Sequence, residues 1–249
     1  HERGQRGFSR TGGTNDGAAN HGTPAAADII VVGAGLAGLS AARTLVAAGH
    51  DVQVLEARNR VGGRTQNATF DDGQWIEVGG QWLGPTQDHM HRLVADLHLQ
   101  TFPLYNDGDL MLHLGGKNRR MASAKGAVPR LNPIALADLA QGTARFNRLS
   151  ARIDLERPWR SPSAIRLDGQ TFRTWIDRNL RTRAGRAYFD IFCQAVFSAD
   201  AADLSLLHAL FYSHSGTGME TLMAVDGGAQ QDRVVGGAVR VAERIADEL

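Results

Sequence analysis

The sequence predicts an α/β fold that opens with a Rossmann-like unit and continues into a mainly helical region. Three observations carry this. A strand, a helix and a second strand follow one another between Asp28 and Leu55, helical periodicity takes over beyond Thr101, and an amphipathic helix occupies the end of the chain. At 249 residues and 43% hydrophobic, the chain can bury a core sized for one large domain or two small ones.

Residues 1–26 are rich in Gly, Asn, Thr, Ser and Arg without apolar periodicity, and read as a disordered leader. Asp28 to Val32 is a continuous apolar run of strand length, expected to be buried on both faces as in a parallel sheet. Leu36 to Ala48 reads as a helix stopped by Gly49, and Asp51 to Leu55 as the next strand. A polar hairpin is expected around Asp71-Asp72-Gly73. A helix should begin near Pro85-Thr86, with Met90, Leu93, Val94 and Leu97 facing a core. Asp109 to Leu114 and Asn118 to Ala122 read as a second hairpin, joined by Gly115-Gly116-Lys117. Helices then follow over Leu136–Leu149, Phe172–Leu180, Tyr188–Phe197 and Leu204–Ser213, with a last one from Gly236 to Leu249.

Charge and composition exclude several function classes. With 27 basic and 26 acidic residues the chain carries no global field to hold nucleic acid or an anionic membrane. Only Lys117 and Lys125 are lysine, so the basic residues are almost all arginine, which reads as composition. No apolar run approaches the ~18 residues of a bilayer span, so no membrane partner is expected. Cys193 is the single cysteine, which rules out an intramolecular disulfide and fits a cytoplasmic location. It reads as a buried small hydrophobe. His89 and His91 fall on different faces of their helix, and no His pair with supporting carboxylates marks a metal site.

Gly33-Ala-Gly35-Leu-Ala-Gly38 follows a strand and opens a helix, the context that gives a Gly-rich pattern its meaning. The first Gly makes the tight turn, the second lets backbone approach a pyrophosphate, and the third lets helix and strand pack closely. A diphosphate at that helix N-terminus meets unpaired N–H groups and the positive end of the macrodipole. Glu56 ends the second strand, where an acid accepts hydrogen bonds from an adenosine ribose and disfavours a 2′-phosphate. These features fit NAD and FAD equally. Farther on, Gly62 and Gly63 permit a turn close to a cofactor, and the guanidinium fork of Arg64 can pair with phosphate oxygens. Arg58 is a candidate for the adenine side, and Arg60 reads as a surface arginine.

The run from Leu55 to Thr65 resembles the extended dinucleotide fingerprint of flavin oxidases. Glu77-Val-Gly79-Gly80-Gln81-Trp82-Leu-Gly84-Pro85-Thr86-Gln87 is similar to the segment that runs beside the flavin in the flavin monoamine oxidase family. Gly228-Ala-Gln230-Gln231-Asp-Arg233-Val-Val-Gly236-Gly237 resembles that family's return from its substrate domain. The bacterial members are nearest, and the resemblance covers residues 28–88 and 226–245 best. It implies an α/β, Rossmann-like FAD-binding domain with an inserted, mainly helical substrate domain, and a C-terminal part that is missing. Residues 27–100 would be the first segment of the FAD-binding domain, 101–232 the first segment of the substrate-binding domain, and 233–249 a truncated return.

Carried across residue by residue, the resemblance implies that Gly33, Gly35, Leu36, Ala37 and Gly38 hold the FAD diphosphate and that Glu56 holds the ribose. Arg58, Gly63 and Arg64 would lie nearby. Gly79, Gly80, Gln81 and Trp82 would lie near the isoalloxazine, and Gln230 would face substrate, with Gln231 beside it leaving the register open by one. Met223 and Phe197 are candidates for the same cavity but read first as core. The implied reaction takes a small-molecule amine, O2 and water to aldehyde, ammonia and hydrogen peroxide, with a homodimer as a candidate assembly. The lysine near flavin N5 and the aromatic cage walls belong to a later segment in relatives, so no catalytic residue is assigned. Three other readings share these motifs: an L-amino-acid oxidase, polyamine oxidase or carotenoid or porphyrinogen dehydrogenase; a non-catalytic FAD-binding remnant that needs its other half; and an NAD-binding domain.

Overall fold

The computed structural model describes residues 27–114, 116–122 and 129–249. The leader expected over 1–26 lies outside the described residues, as does Gly115 of the second hairpin's connection. Two compact units result. One takes the described residues up to Leu83 with Asp88–Phe102 and Asp232–Leu249; the other takes Gly84–Gln87 and Pro103–Gln231. Within the stretch 27–100, the short turn Gly84–Gln87 groups with the second unit. A Cβ on Gly84 would stand 2.7 Å from the Ala229 Cα and 2.9 Å from the Gly228 carbonyl oxygen, so this turn lies flat on backbone of the second unit.

In the first unit, β1 (Ile29–Val32) pairs in parallel with β2 (Val52–Leu55), Ile29 opposite Val52, and α1 (Leu36–Ala47) connects them. The expectation that β1 is buried on both faces fails. Its residues alternate, with Ile30 57% and Val32 84% exposed. A run of four apolar residues implies two covered faces, but among the described residues this sheet has two strands and one face of β1 has no covering layer. The hairpin around Asp71–Gly73 forms from β3 (Asn67–Thr69) and β4 (Trp75–Glu77), and the Asp72 carboxylate accepts the Gln74 N–H at 3.0 Å across its turn.

β5 (Trp82–Leu83) precedes α2 (Asp88–Asp96) and β6 (Thr101–Pro103). Helix α2 starts later than expected because the Gln87 N–H closes a turn on the Gly84 carbonyl at 3.0 Å. A small sheet orders these strands as β5-β9-β6, with β9 (Asp232–Val234) in the middle. Such short strands carry no alternation to read in sequence. The amphipathic C-terminal helix α9 (Val239–Glu248) buries Val241, Ala242 and Ile245, which share a core with Leu39 of α1, Leu83, Val94, Leu97 and Val234. Burial of each large aliphatic contributes roughly 1.5–3 kcal/mol.

The second unit carries the hairpin β7 (Asp109–Leu114) and β8 (Lys117–Ala122) and a set of helices: α3 (Pro133–Ser150), α4 (Ala164–Asp168), α5 (Phe172–Asn179), α6 (Arg183–Phe197), α7 (Leu206–Ser215) and α8 (Met219–Met223). Three starts follow side-chain capping: Asn132, Thr171 and Thr182 accept the N–H groups of Ala135, Thr174 and Gly185. Phe146 lies at the centre of the core, its ring 5.2–6.1 Å from those of Phe172, Trp175, Phe189 and Phe192. Cys193 is fully buried, and burial pushes its thiol up to about 11. Asp138 is buried on α3 and accepts the N–H groups of Arg181 and Thr182 and the Thr182 hydroxyl, tying α3 to the start of α6. Burial alone would raise the Asp138 pKa, but the hydrogen bonds outweigh it and hold the carboxyl below its ordinary value.

Candidate functional site

The first unit folds two Gly-rich loops against each other at the start of α1. Gly33 follows β1 with φ +98°, a left-handed turn that favours glycine, and its N–H bonds the Leu55 carbonyl at 2.7 Å. A Cβ on Gly38 would stand 2.0 Å from the Gly33 carbonyl oxygen, so α1 begins in backbone contact with that turn. The second loop arrives through the Gly62 N–H, which bonds the Ala34 carbonyl at 2.8 Å, and through a parallel bridge between Gly35 and Gly62. A Cβ on Gly63 would stand 3.2 Å from the Gly35 Cα. The N-terminus of α1 has no side-chain cap and no acid in its first turn, and a Cβ on Gly33 would meet nothing within 4 Å. An uncapped helix N-terminus beside open space is the arrangement that an anionic diphosphate satisfies.

Glu56 sits at the back of this cradle with its side chain 11% exposed. Its oxygens accept the Arg58 N–H at 2.9 Å and the Ala34 N–H at 2.8 Å. Those bonds, with the Arg58 charge, hold the carboxyl below its ordinary value of 4.5, so it is ionised at neutral pH. An ionised carboxylate has about four acceptor positions, which leaves capacity for ribose hydroxyls. Arg58 and Arg64 are exposed, and the Arg64 guanidinium bonds none of the described residues.

Arg60, expected at the surface, is half-buried instead. Its guanidinium donates to the carbonyls of Val61 at 3.2 Å and Gly63 at 3.0 Å, which closes the second loop from behind. A Gly-rich turn exposes carbonyls without side chains to cover them, and an adjacent arginine can supply the donors.

The segment from Gly79 is joined to the same loop. The Gly80 N–H bonds the Arg64 carbonyl at 3.1 Å, and a Cβ on Gly79 would stand 2.0 Å from that oxygen. Gln81 is half-buried and Trp82 is 42% exposed. Glu77, given no role from sequence, is the tie between this segment and the chain's return. Its carboxylate, 1% exposed, accepts both Nε (2.9 Å) and a terminal nitrogen (2.5 Å) of Arg233, and the Ala238 N–H at 2.6 Å. Two opposite charges far apart in sequence give no local signal of their pairing. Asn67, also missed, donates to the Gly236 carbonyl at 2.9 Å from the β3 side.

Gln230 belongs to the second unit, where its side-chain amide makes no hydrogen bond to the described residues. The Gln231 Oε1 accepts the Gly227 N–H at 3.0 Å and is engaged in its own turn. Met223 and Phe197 pack at the edge of the aromatic core. Among the described residues no group of three or more His, Cys, Asp or Glu could hold a metal ion, and no helix is long and apolar enough to cross a membrane.

Comparison with known proteins follows the same residues. The sequence pattern of the flavin containing amine oxidoreductases matches residues 36–249. An L-amino acid dehydrogenase of Synechocystis is 35% identical over 230 residues, covering 89% of this chain and 47% of the relative. A flavin-containing amine oxidase of Danio rerio is 32% identical over 228 residues, covering 91% and 43%. A putrescine oxidase structure, wild type bound to putrescine, superposes with TM-score 0.83 at 32% identity, covering 89% of this chain and 49% of that one. The chain thus spans about half the length of the relatives it matches.

Proposed function

Because the chain belongs to the flavin containing amine oxidoreductase family, we propose that it carries the FAD-binding loops and the first part of the substrate-binding region of an FAD-dependent amine oxidase. The reaction takes amine, O2 and water to aldehyde, ammonia and hydrogen peroxide. Residues 27–100 with 233–249 serve as the FAD-binding part, and 101–232 as the substrate-binding part. The observation that carries this reading is the paired-loop cradle, in which an uncapped helix N-terminus, an ionised Glu56 and the Gly62-Gly63 turn meet.

In this reading the backbone N–H groups from Gly33 to Gly38, including those of Gly35, Leu36 and Ala37, bind the diphosphate. Glu56 accepts the ribose hydroxyls and repels a 2′-phosphate. Gly63 keeps the second loop close to the pyrophosphate, Arg64 pairs with a phosphate oxygen, and Arg58 covers the adenine side. Gly79, Gly80, Gln81 and Trp82 flank the isoalloxazine. The free amide of Gln230, rather than that of the engaged Gln231, faces the amine. Bound FAD supplies the acceptor for the hydride equivalent that leaves the amine's α-carbon. The protein's part is to orient the amine, exclude water and favour its neutral form. The near-neutral charge and single cysteine support a cytoplasmic enzyme acting on small molecules, with a second copy as the candidate assembly partner.

The test is an absorption spectrum of the purified chain, incubated with FAD and desalted, before and after anaerobic addition of benzylamine or putrescine. Protein-bound flavin that bleaches with amine is expected. Protein that emerges colourless contradicts the cofactor assignment. The similarity to an L-amino acid dehydrogenase motivates a second reading, and bleaching by L-amino acids but not by amines would favour it.

A further inference from the structure

A cavity of about 390 Å³ lies in the helical unit where the β7–β8 hairpin meets the first turns of α3 and α6, and none of the residues assigned above to FAD or amine lines it. Its walls follow from strand geometry. Alternate residues of a strand face the same side, so Lys117 and Arg119 of β8 project together, and Leu114 stands opposite Lys117 in the hairpin register. Arg183, the first residue of α6, brings a third cation, and Ile134 of α3 brings an exposed apolar side chain.

All the charge in this lining is positive, since no Asp or Glu belongs to it. Lys117 and Arg183 are exposed, whereas Arg119 is half-buried. The Arg119 Nη1 donates to the Arg130 carbonyl at 2.8 Å, which holds the guanidinium in the wall, and its Nε is buried with no acceptor. Among the described residues none of the three cations forms an ion pair. A guanidinium taken partly out of water without a counter-charge costs free energy that a bound anion would offset. Asp138 does not supply that charge, because its carboxylate is taken up by the N–H groups of Arg181 and Thr182 and by the Thr182 hydroxyl. The two helices add donors. Asn132 and Thr182 cap the N–H groups of Ala135 and Gly185, but those of Ile134, Arg183 and Ala184 meet no acceptor among the described residues. Ile134, Arg183 and Ala184 line the cavity, so the positive ends of two helix dipoles add to its field.

We infer that this cavity binds a phosphate group, as inorganic phosphate or as a small monoester, held by Lys117, Arg119 and Arg183. A phosphate presents about two charges and three acceptor oxygens to these donors, where a carboxylate presents one charge and two oxygens. The rest of the volume, beside Ile134, accommodates the organic part of an ester. Phosphate binding here requires neither FAD nor an amine.

The test is isothermal titration of the purified chain in about 0.1 M potassium chloride, which screens exposed charges beyond about 10 Å. The ligands are inorganic phosphate, phenyl phosphate and benzoate, on wild type, on Arg119→Gln and on a double variant carrying Lys117→Gln and Arg183→Gln. Saturable binding of phosphate is expected, the tighter of the two phosphates naming its source, with benzoate weaker by about tenfold or more. Each variant should weaken phosphate by about tenfold or more while circular dichroism shows it folded. Should Arg119→Gln fail to fold, the double variant decides, because Lys117 and Arg183 are exposed. No binding of either phosphate, equal binding of benzoate, or unchanged affinity in the folded variants overturns the inference. A repeat with saturating FAD separates this cavity from the cradle on α1: phosphate binding that persists supports the inference, and phosphate displaced by FAD overturns it. Phosphate binding that is lost in the variants, in a chain that takes up no flavin, sinks the cofactor assignment alone.

Discussion

Glu56 braces the Ala34 and Arg58 backbone with one carboxylate, which on the proposed reading would also hold the ribose. Replacing it with Gln keeps the shape and removes the charge. Loss of charge-assisted hydrogen bonds should weaken FAD about 10- to 100-fold, as read by flavin titration. Its pH behaviour has a definite sign. The folded pKa lies below the ordinary 4.5, so the stability it contributes is complete above 4.5 and is lost as pH falls through the depressed folded value. Denaturation of Glu56→Gln should therefore lose part of the acid-side slope seen in wild type. Asp138 follows the same sign, its contribution vanishing as pH falls below the ordinary 3.8. Asp138→Ala should cost about 2–4 kcal/mol by chemical denaturation, since it strands several buried donors at the start of α6.

Single residues were legible in sequence where a local motif requires them, as with Gly33, Gly35, Gly38 and Glu56, whose spacing follows from a strand, a turn and a helix. Glu77, Arg233, Arg60 and Asn67 were not, because their roles depend on what the folded chain brings near. The Glu77 carboxylate finds its partners, Arg233 and the Ala238 N–H, only in the folded chain.

At the scale of elements, long periodic helices were readable and short strands were not. α3, α5, α6, α7 and α9 carry apolar residues at helical spacing and differ from expectation chiefly at their ends, where a cap such as Thr182 starts α6 before its first apolar residue. β5, β6 and β9 have two or three residues each, too few to show alternation. β1 misled because a fully apolar strand implies two covering layers, whereas Val32 is 84% exposed. Val32→Thr should accordingly change stability by less than about 0.5 kcal/mol in this chain. Gly38→Ala should behave oppositely. Its methyl would collide with the Gly33 carbonyl, costing roughly 1–3 kcal/mol in thermal or urea unfolding and weakening FAD as the turn shifts.

For the whole molecule, a chain that leaves and re-enters one unit to build another has two separate cores, one aliphatic around Leu39 and Ile245 and one aromatic around Phe146. Composition gave the size of such cores, and periodicity gave the helical character of the second. Phe146→Ala should destabilise the aromatic core by about 3–5 kcal/mol, and hydrogen exchange should place the lost protection in α3, α5 and α6 while α1 and α9 keep theirs. On the reading proposed above, the division would also separate nucleotide recognition, in the first unit's loops, from amine recognition in the second.

The most direct test of that account is the affinity of the purified chain for FAD against riboflavin, followed by quenching of flavin fluorescence. If the paired loops bind through diphosphate and ribose, FAD should bind at least tenfold more tightly than riboflavin, and Glu56→Gln should narrow the gap. Equal affinities, or no binding of either flavin, would contradict the assignment of the cradle to the cofactor.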